Sequence, residues 1–178
     1  MSDEPQDREI YSGRIVRLRL KYVQLADGAR HLREIVDHLP GAAAVAVDED
    51  GHVLLVRQPR PAVGASPLEL PAGLIEPGEH PADTARRELE EETGYLARGI
   101  EPLVSFYTSP GFTDELIHIF VATELVRTAV QHEEGEEEIE LVRLPVARAL
   151  EQVLHGELSD AKTVVGLLAY QRWAAGQA

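Results

Sequence analysis

The segment from Gly73 to Tyr95, GLIEPGEHPADTARRELEEETGY, constrains this chain more than any other. It crowds Glu88, Glu90, Glu91 and Glu92 into five consecutive positions. Pro81 suits the first turn of a helix, where its missing N–H costs nothing. Asp83 falls in that same turn and favours the positive helix end. Gly94 is a natural stop just past the last turn. Residues 81–93 therefore read as one helix. At about 100° per residue, Glu88, Glu91 and Glu92 share an arc of roughly 100°. Ala82, Ala85 and Leu89 form a neighbouring apolar stripe. Arg87 sits one turn before Glu91 and can pair with it, while Glu90 points toward solvent. Three carboxylates on one face repel, and Mg²⁺ or Mn²⁺ would relieve that, since hard cations take oxygen ligands. The plain alternative is a solvated acidic face on an acidic protein.

Composition narrows the classes open to such a chain. Its 178 residues fit one domain with a real core. The net charge of −14 argues against a nucleic-acid backbone as partner. A small anionic substrate stays compatible if metal ions bridge it to the acidic site. The absence of cysteine excludes disulfides and thiol catalysis and fits a cytoplasmic protein. The polar, acidic start, MSDEPQDREIYSGR, is unlike a secretory signal. No apolar run approaches the ~20 residues of a membrane helix.

No repeat divides the chain. Residues 14–24 alternate, with Val16, Leu18, Leu20 and Tyr22 on one face and Arg17, Arg19 and Lys21 on the other, as in a half-exposed strand. Asp27-Gly28 marks a turn, and 31–38 return as a second strand. Residues 42–47 and 52–57 read as a strand pair around the Asp48–Gly51 turn. Further strands are expected near 97–107, 116–123 and 139–144, and helices near 145–155 and 159–174. The pattern implies an α+β or layered α/β domain. Residues 1–38 read as an N-terminal β-hairpin extension, and 39–178 as the main domain. His118, between Ile117 and Ile119, reads as structural. Six of the eight residues from Glu133 to Glu140 are glutamate. That run is either a solvated loop or a lid carrying a glutamate into a site.

Spacing makes the acidic segment more than a Glu-rich helix. Gly73 is followed after five residues by Glu79, and after seven more by Arg87-Glu88-Leu89-Glu90-Glu91-Glu92-Thr93-Gly94-Tyr95. This resembles the Nudix box, with Tyr95 at a place usually held by an aliphatic residue. Glu34-Ile35-Val36-Asp37-His38, Val56 to Pro61, Leu70 to Glu76 and Ser109 to Glu115 extend the likeness to bacterial ADP-ribose pyrophosphatases. Pro110, 16 residues after Gly94, matches that subfamily's marker proline.

The resemblance implies a mixed sheet sandwiched between helices and metal-dependent hydrolysis of ADP-ribose to AMP and ribose 5-phosphate. It implies that Glu88, Glu91, Glu92 and the Ala72 carbonyl hold Mg²⁺, with Mn²⁺ able to substitute. Arg87 would orient the glutamates, and Glu137 on the late acidic loop would assist attack. Arg60 would hold phosphate. Pro110, Gly111, Phe112 and Glu115 would form a substrate loop, and Arg33 or Glu34 would touch the adenosine part. Tyr11, Tyr107 and Phe112 are candidates to stack on adenine, or core and rim aromatics. The expected partners are a small nucleotide and a second copy of the chain, with no nucleic acid or membrane. Rival readings are another nucleotide substrate, or a non-catalytic module that senses ADP-ribose-like ligands.

Overall fold

Residues 7–26, 28–128 and 139–177 are described by the structure, a computed structural model. Asp27 and the acidic run through Glu138, including Glu133 and Glu137, lie outside them. The chain divides into two units.

The first unit holds the residues up to Pro40 together with Phe106–Leu116. The alternation in 14–24 becomes β2 (Val16–Gln24), paired antiparallel with β3 (Arg30–His38) from Val16↔His38 to Gln24↔Arg30. The expected hairpin is joined by a third strand, β1 (Arg8–Ser12), in the order β1-β2-β3. All five residues of β1 are exposed, so no apolar alternation announced it. Asp37 on β3 ties the sheet across strands, accepting from Arg17 Nε at 2.9 Å and Arg19 Nε at 2.6 Å. The hydrogen bond from Arg19 is the main cause holding the Asp37 carboxyl below its ordinary value.

The second unit holds Gly41–Ser105 and Ile117–Ala178. Its centre is β4 (Gly41–Ala46), GAAAVA, buried at every position. β4 runs parallel to β9 (Leu116–Arg127) and antiparallel to β7 (Ala72–Leu74), and β8 (Tyr95–Tyr107) completes the order β7-β4-β9-β8. A continuous apolar run without alternation is what a strand covered on both faces shows. Ala42, Ala44 and Ala46 pack with Ala85 and Leu89 of α1 (Pro81–Thr93). On the other side comes α3 (Ala161–Ala174). There a Cβ on Gly166 would stand 2.5 Å from Leu70 Cδ1 and 3.2 Å from Val45 Cγ2. The expected sheet between helices is therefore present.

One expected pairing is corrected. The strands at 42–47 and 52–57 do not form a hairpin. β5 (His52–Arg57) leaves β4 after a single bridge, Val47↔Val53, and joins another sheet, β10-β5-β6. Its partners are β10 (Glu140–Pro145) and β6 (Leu68–Glu69). The turn itself is real: Gly51 sits at φ 79° and donates to the Asp48 carbonyl at 3.0 Å. Both edges of β4 are taken, one by β7 and the other by the parallel ladder to β9. α2 (Val146–Leu154) follows β10 and packs against it and β5. No helix among the described residues is long and apolar enough to cross a membrane.

Candidate active site

Helix α1 has the expected bounds, Pro81–Thr93. Gly94 takes the left-handed conformation, φ 71°, and its N–H closes on the Glu90 carbonyl at 2.8 Å. The N-cap is His80, whose Nδ1 accepts from the Ala82 N–H at 3.3 Å. Histidine is not among the usual capping residues. The apolar stripe turns Ala85 and Leu89 fully into the core, and the adjacent face then carries Glu88 and Glu92 inward. Glu88 is 7% and Glu92 4% exposed. Glu91 stays half-buried, and so does Glu90, which does not project freely into solvent.

These carboxylates meet strand β7 and the turn before it. Glu92 Oε2 accepts from the Ala72 N–H at 3.1 Å. The Glu88 carboxylate lies directly over Gly73, the first residue of the motif. Arg87 gathers the remaining charge. Its NH1 stands 2.8 Å from Glu88 Oε1 and 2.9 Å from Glu91 Oε2, and its Nε donates to Glu79 Oε1 at 3.2 Å. Burial works against the Arg87 charge, but the Glu79 bond and the carboxylates around it raise its pKa above the ordinary value. The Arg87 hydrogen bond is the main cause holding Glu79 low. Arg87 and Glu91 also line a cleft of about 350 Å³ with Asp83, Arg86 and Glu90.

The donor set suits a hard divalent cation. It is all oxygen, and Gly73 leaves room for a carboxylate where any side chain would intrude. A second cluster, Asp48, Asp50 and His52, brings three potential ligand atoms within 4.8 Å of one another. Arg143 fills it already, with Nε 2.8 Å from Asp48 Oδ2 and NH2 2.8 Å from Asp50 Oδ2. Asp48 Oδ1 also accepts from the Asp50 and His52 N–H groups, as in an Asx turn.

Arg60 follows β5. It makes a bidentate pair with Glu69 of β6, Nε to Oε1 and NH2 to Oε2, both 2.8 Å. The Glu69 hydrogen bond is the main cause raising the Arg60 pKa, and the charge of Glu92 adds to it. Glu69 is 2% exposed and also takes a hydrogen bond from Lys162 of α3. The sequence reading missed Glu69 and Lys162.

The remaining candidates lie in the first unit. Arg33 and Glu34 are both exposed and, as neighbours on β3, point to opposite faces of its sheet. In the 109–115 loop, Phe112 and Thr113 N–H groups both donate to the Ser109 carbonyl. The loop is fastened to β3: the Val36 N–H donates to the Phe112 carbonyl at 2.8 Å and the His38 N–H to Asp114 Oδ1 at 2.9 Å. Glu115 accepts from the Thr108 hydroxyl at 2.6 Å and lies 3.3 Å from His38 Nδ1. Pro110 and Gly111 are exposed. Tyr11, Tyr107 and Phe112 are 58%, 56% and 52% exposed, so none is a core residue. His118, in the second unit, contacts the Ser105 hydroxyl at 2.9 Å and lies between the buried Ile117 and Ile119.

The NUDIX domain family matches residues 37–164. An ADP-ribose pyrophosphatase of Bacillus subtilis is 43% identical over 161 residues, 89% of this chain and 86% of that protein. A methanol dehydrogenase activator of Bacillus methanolicus is 41% identical over 160 residues, 89% of this chain and 86% of that protein. A crystal structure of an ADP compounds hydrolase superposes with a TM-score of 0.86, covering 97% of this chain and 93% of the other. At 23% identity that likeness speaks for the fold. The chain belongs to the Nudix hydrolase family, whose members use a divalent metal.

Proposed function

We propose that this enzyme hydrolyses the pyrophosphate bond of ADP-ribose, giving AMP and ribose 5-phosphate. The observation that carries the reading is the packing of Glu88 and Glu92 against Gly73 and Ala72, with Arg87 bracing Glu88 and Glu91. The substrate follows from the likeness to an ADP-ribose pyrophosphatase across 89% of the chain.

In this reading Glu88, Glu91, Glu92 and the Ala72 carbonyl hold the cation, Mg²⁺ with Mn²⁺ as a substitute. When bound, it neutralises pyrophosphate charge and acidifies a water. Arg87 keeps the crowded glutamates oriented, because its guanidinium reaches Glu79, Glu88 and Glu91 at once. Arg60 binds a substrate phosphate, to which its planar fork is suited. Glu115, Arg33 or Glu34, and the Pro110–Phe112 turn contact the rest of the nucleotide. Glu137 orients or deprotonates the attacking water. The same reading makes the enzyme a cytoplasmic homodimer.

The test is product analysis of ADP-ribose hydrolysis in ¹⁸O water, beside a panel of other nucleotide sugars and dinucleoside polyphosphates. AMP and ribose 5-phosphate with a single labelled phosphate support the proposal. A preference of roughly tenfold in kcat/KM for another panel member overturns the choice of substrate. The panel matters because the similarly close Bacillus methanolicus relative carries a different name.

A further inference from the structure

The Arg60–Glu69 pair poses a problem for any role of Arg60 on a substrate. Glu69 is buried at the end of β6, its side chain 3% exposed. Burial alone pushes the Glu69 carboxyl up, but the Arg60 hydrogen bonds and the Lys162 charge bring it below its ordinary value, so it is an anion. A buried anion with one cation partner holds that cation tightly, because losing the partner leaves the charge uncompensated. Arg60 held in that way would be unavailable to a phosphate.

Glu69, however, has two cations. Lys162 contacts Glu69 Oε2 from the first turn of α3, and also stands 3.1 Å from Asp160 Oδ2. Asp160 is the N-cap of α3, accepting from the Thr163 N–H at 3.0 Å and the Thr163 hydroxyl at 2.6 Å. That hydroxyl accepts from the Leu70 N–H at 2.8 Å, which fixes the chain next to Glu69. Lys162 is thus held on the closed side of the carboxylate, with its side chain 13% exposed, while the Arg60 side chain is 41% exposed. Of the two cations, Arg60 is the one with a path outward.

We infer that Lys162 is a positioning residue for Arg60: it keeps the buried Glu69 carboxylate compensated, so that Arg60 can exchange Glu69 for a substrate phosphate. Glu69 in turn keeps the Arg60 fork aligned until substrate arrives. In the free enzyme the four groups Arg60, Lys162, Glu69 and Asp160 sum to zero charge. When Arg60 turns to phosphate, Glu69 retains Lys162. This rests on the assignment of Arg60 to a substrate phosphate, and it concerns the phosphates only, whichever nucleoside carries them.

The experiment compares KM and kcat for wild-type enzyme, Lys162→Gln, Lys162→Met and Lys162→Arg, with melting temperatures for each. Lys162→Gln removes the charge but keeps an N–H donor for Glu69 on a side chain one atom shorter, so it guards against a variant that fails to fold. Arg60 locked on Glu69 predicts KM raised about tenfold in Lys162→Gln with kcat changed less than about twofold. Lys162→Arg should restore KM. In an Arg60→Ala background the Lys162 changes should add nothing to KM. The sharpest arm is Glu69→Gln/Lys162→Met. Once the carboxylate is neutral nothing traps Arg60, and KM should fall below that of Lys162→Met alone. A double variant worse than the single one, or equal Lys162 effects with and without Arg60, makes Lys162 a structural strut and overturns the proposal. So does an Arg60→Ala enzyme with wild-type KM. Wild-type enzyme inactive on ADP-ribose but active on another nucleotide refutes the substrate alone, and the lysine series then runs on that nucleotide.

Discussion

The carboxylate of Glu88 occupies the place a side chain on Gly73 would need: a Cβ there would lie 1.8 Å from Glu88 Oε1 and 2.1 Å from its Cδ. The glycine opening the motif and the first glutamate of its helix are thus two halves of one packing. Gly73 is also locked in register, opposite Ala42 of β4. The strand cannot retreat, so in Gly73→Ala the glutamate must move. We expect Gly73→Ala to fold and to hydrolyse its substrate at least about 100-fold more slowly at saturating Mg²⁺. The check is steady-state turnover beside circular dichroism. Turnover within threefold of wild type would mean the Glu88 position is not needed.

Glu92 is held by the Ala72 N–H and almost fully buried. Glutamine has the same shape and retains an oxygen to accept that bond. Glu92→Gln should therefore keep its fold while losing one anionic ligand, with hydrolysis slower by at least about 100-fold. The measurement is turnover across a Mg²⁺ titration, and recovery of the full rate at high Mg²⁺ would count against the role.

Helix α1 was legible because its signals are local: Pro81 at the start, Gly94 at the end and an apolar period between. The reason for Gly73 was not legible, because the Glu88 carboxylate that excludes a Cβ belongs to another element. The β4–β5 pairing failed for a related reason. A turn at Asp48–Gly51 is a local signal, whereas the parallel ladder to β9 is a long-range one that overrode it. Glu69 sits between Leu68 and Leu70, which on strand alternation reads as a solvent-facing position. Its burial makes sense only with Arg60 and Lys162 beside it, and Lys162 is 93 positions away. Arg33 and Glu34 are alternatives for the adenosine contact, and adjacency on a strand sends them to opposite faces, so one face of β3 can present only one of them.

The Arg87 cluster predicts a pH dependence of stability. The Glu79 carboxyl is held below its ordinary value by Arg87, so the folded pKa is below the unfolded one. Such a group stabilises the fold above the unfolded pKa and loses that contribution as pH falls through the folded pKa. A hydrogen bond to a charged group is worth about 1.5–3 kcal/mol. At about 2–4 °C per kcal/mol for a chain of this length, Glu79→Gln should melt at least about 3 °C below wild type at neutral pH. The gap should close as the pH drops through the acidic range. Scanning calorimetry against pH tests this, and a gap that widens toward acid contradicts the sign.

The acidic run separates a solvated loop from a lid. If Glu137 assists attack, Glu137→Gln should lower kcat by at least about tenfold with little change in KM, and Glu133→Gln should do almost nothing. The two variants are compared in one assay under saturating metal. Equal, small effects would leave the run as solvated charge.

The three-stranded sheet of the first unit exposes several large apolar side chains. Ile10 is 47%, Tyr11 58% and Leu32 44% exposed, and Ile15 and Leu25, which flank β2, exceed 40%. Small sheets are marginal in water unless a face is covered. A symmetric pair is the commonest soluble assembly, and in it one surface patch can cover itself. A homodimer at micromolar concentration is therefore expected. Light scattering should report twice 19.6 kDa, and a monomer of 19.6 kDa refutes the idea. Replacing Ile10, Tyr11 and Leu32 together by serine should shift the equilibrium toward monomer if this sheet makes the contact. A triple variant that stays dimeric would place the interface elsewhere. Deleting residues 1–38 asks the second question, whether the segment also builds the substrate site. A soluble truncated enzyme with wild-type KM for ADP-ribose would limit the segment to assembly, whereas a KM raised about tenfold or more would place it at the substrate.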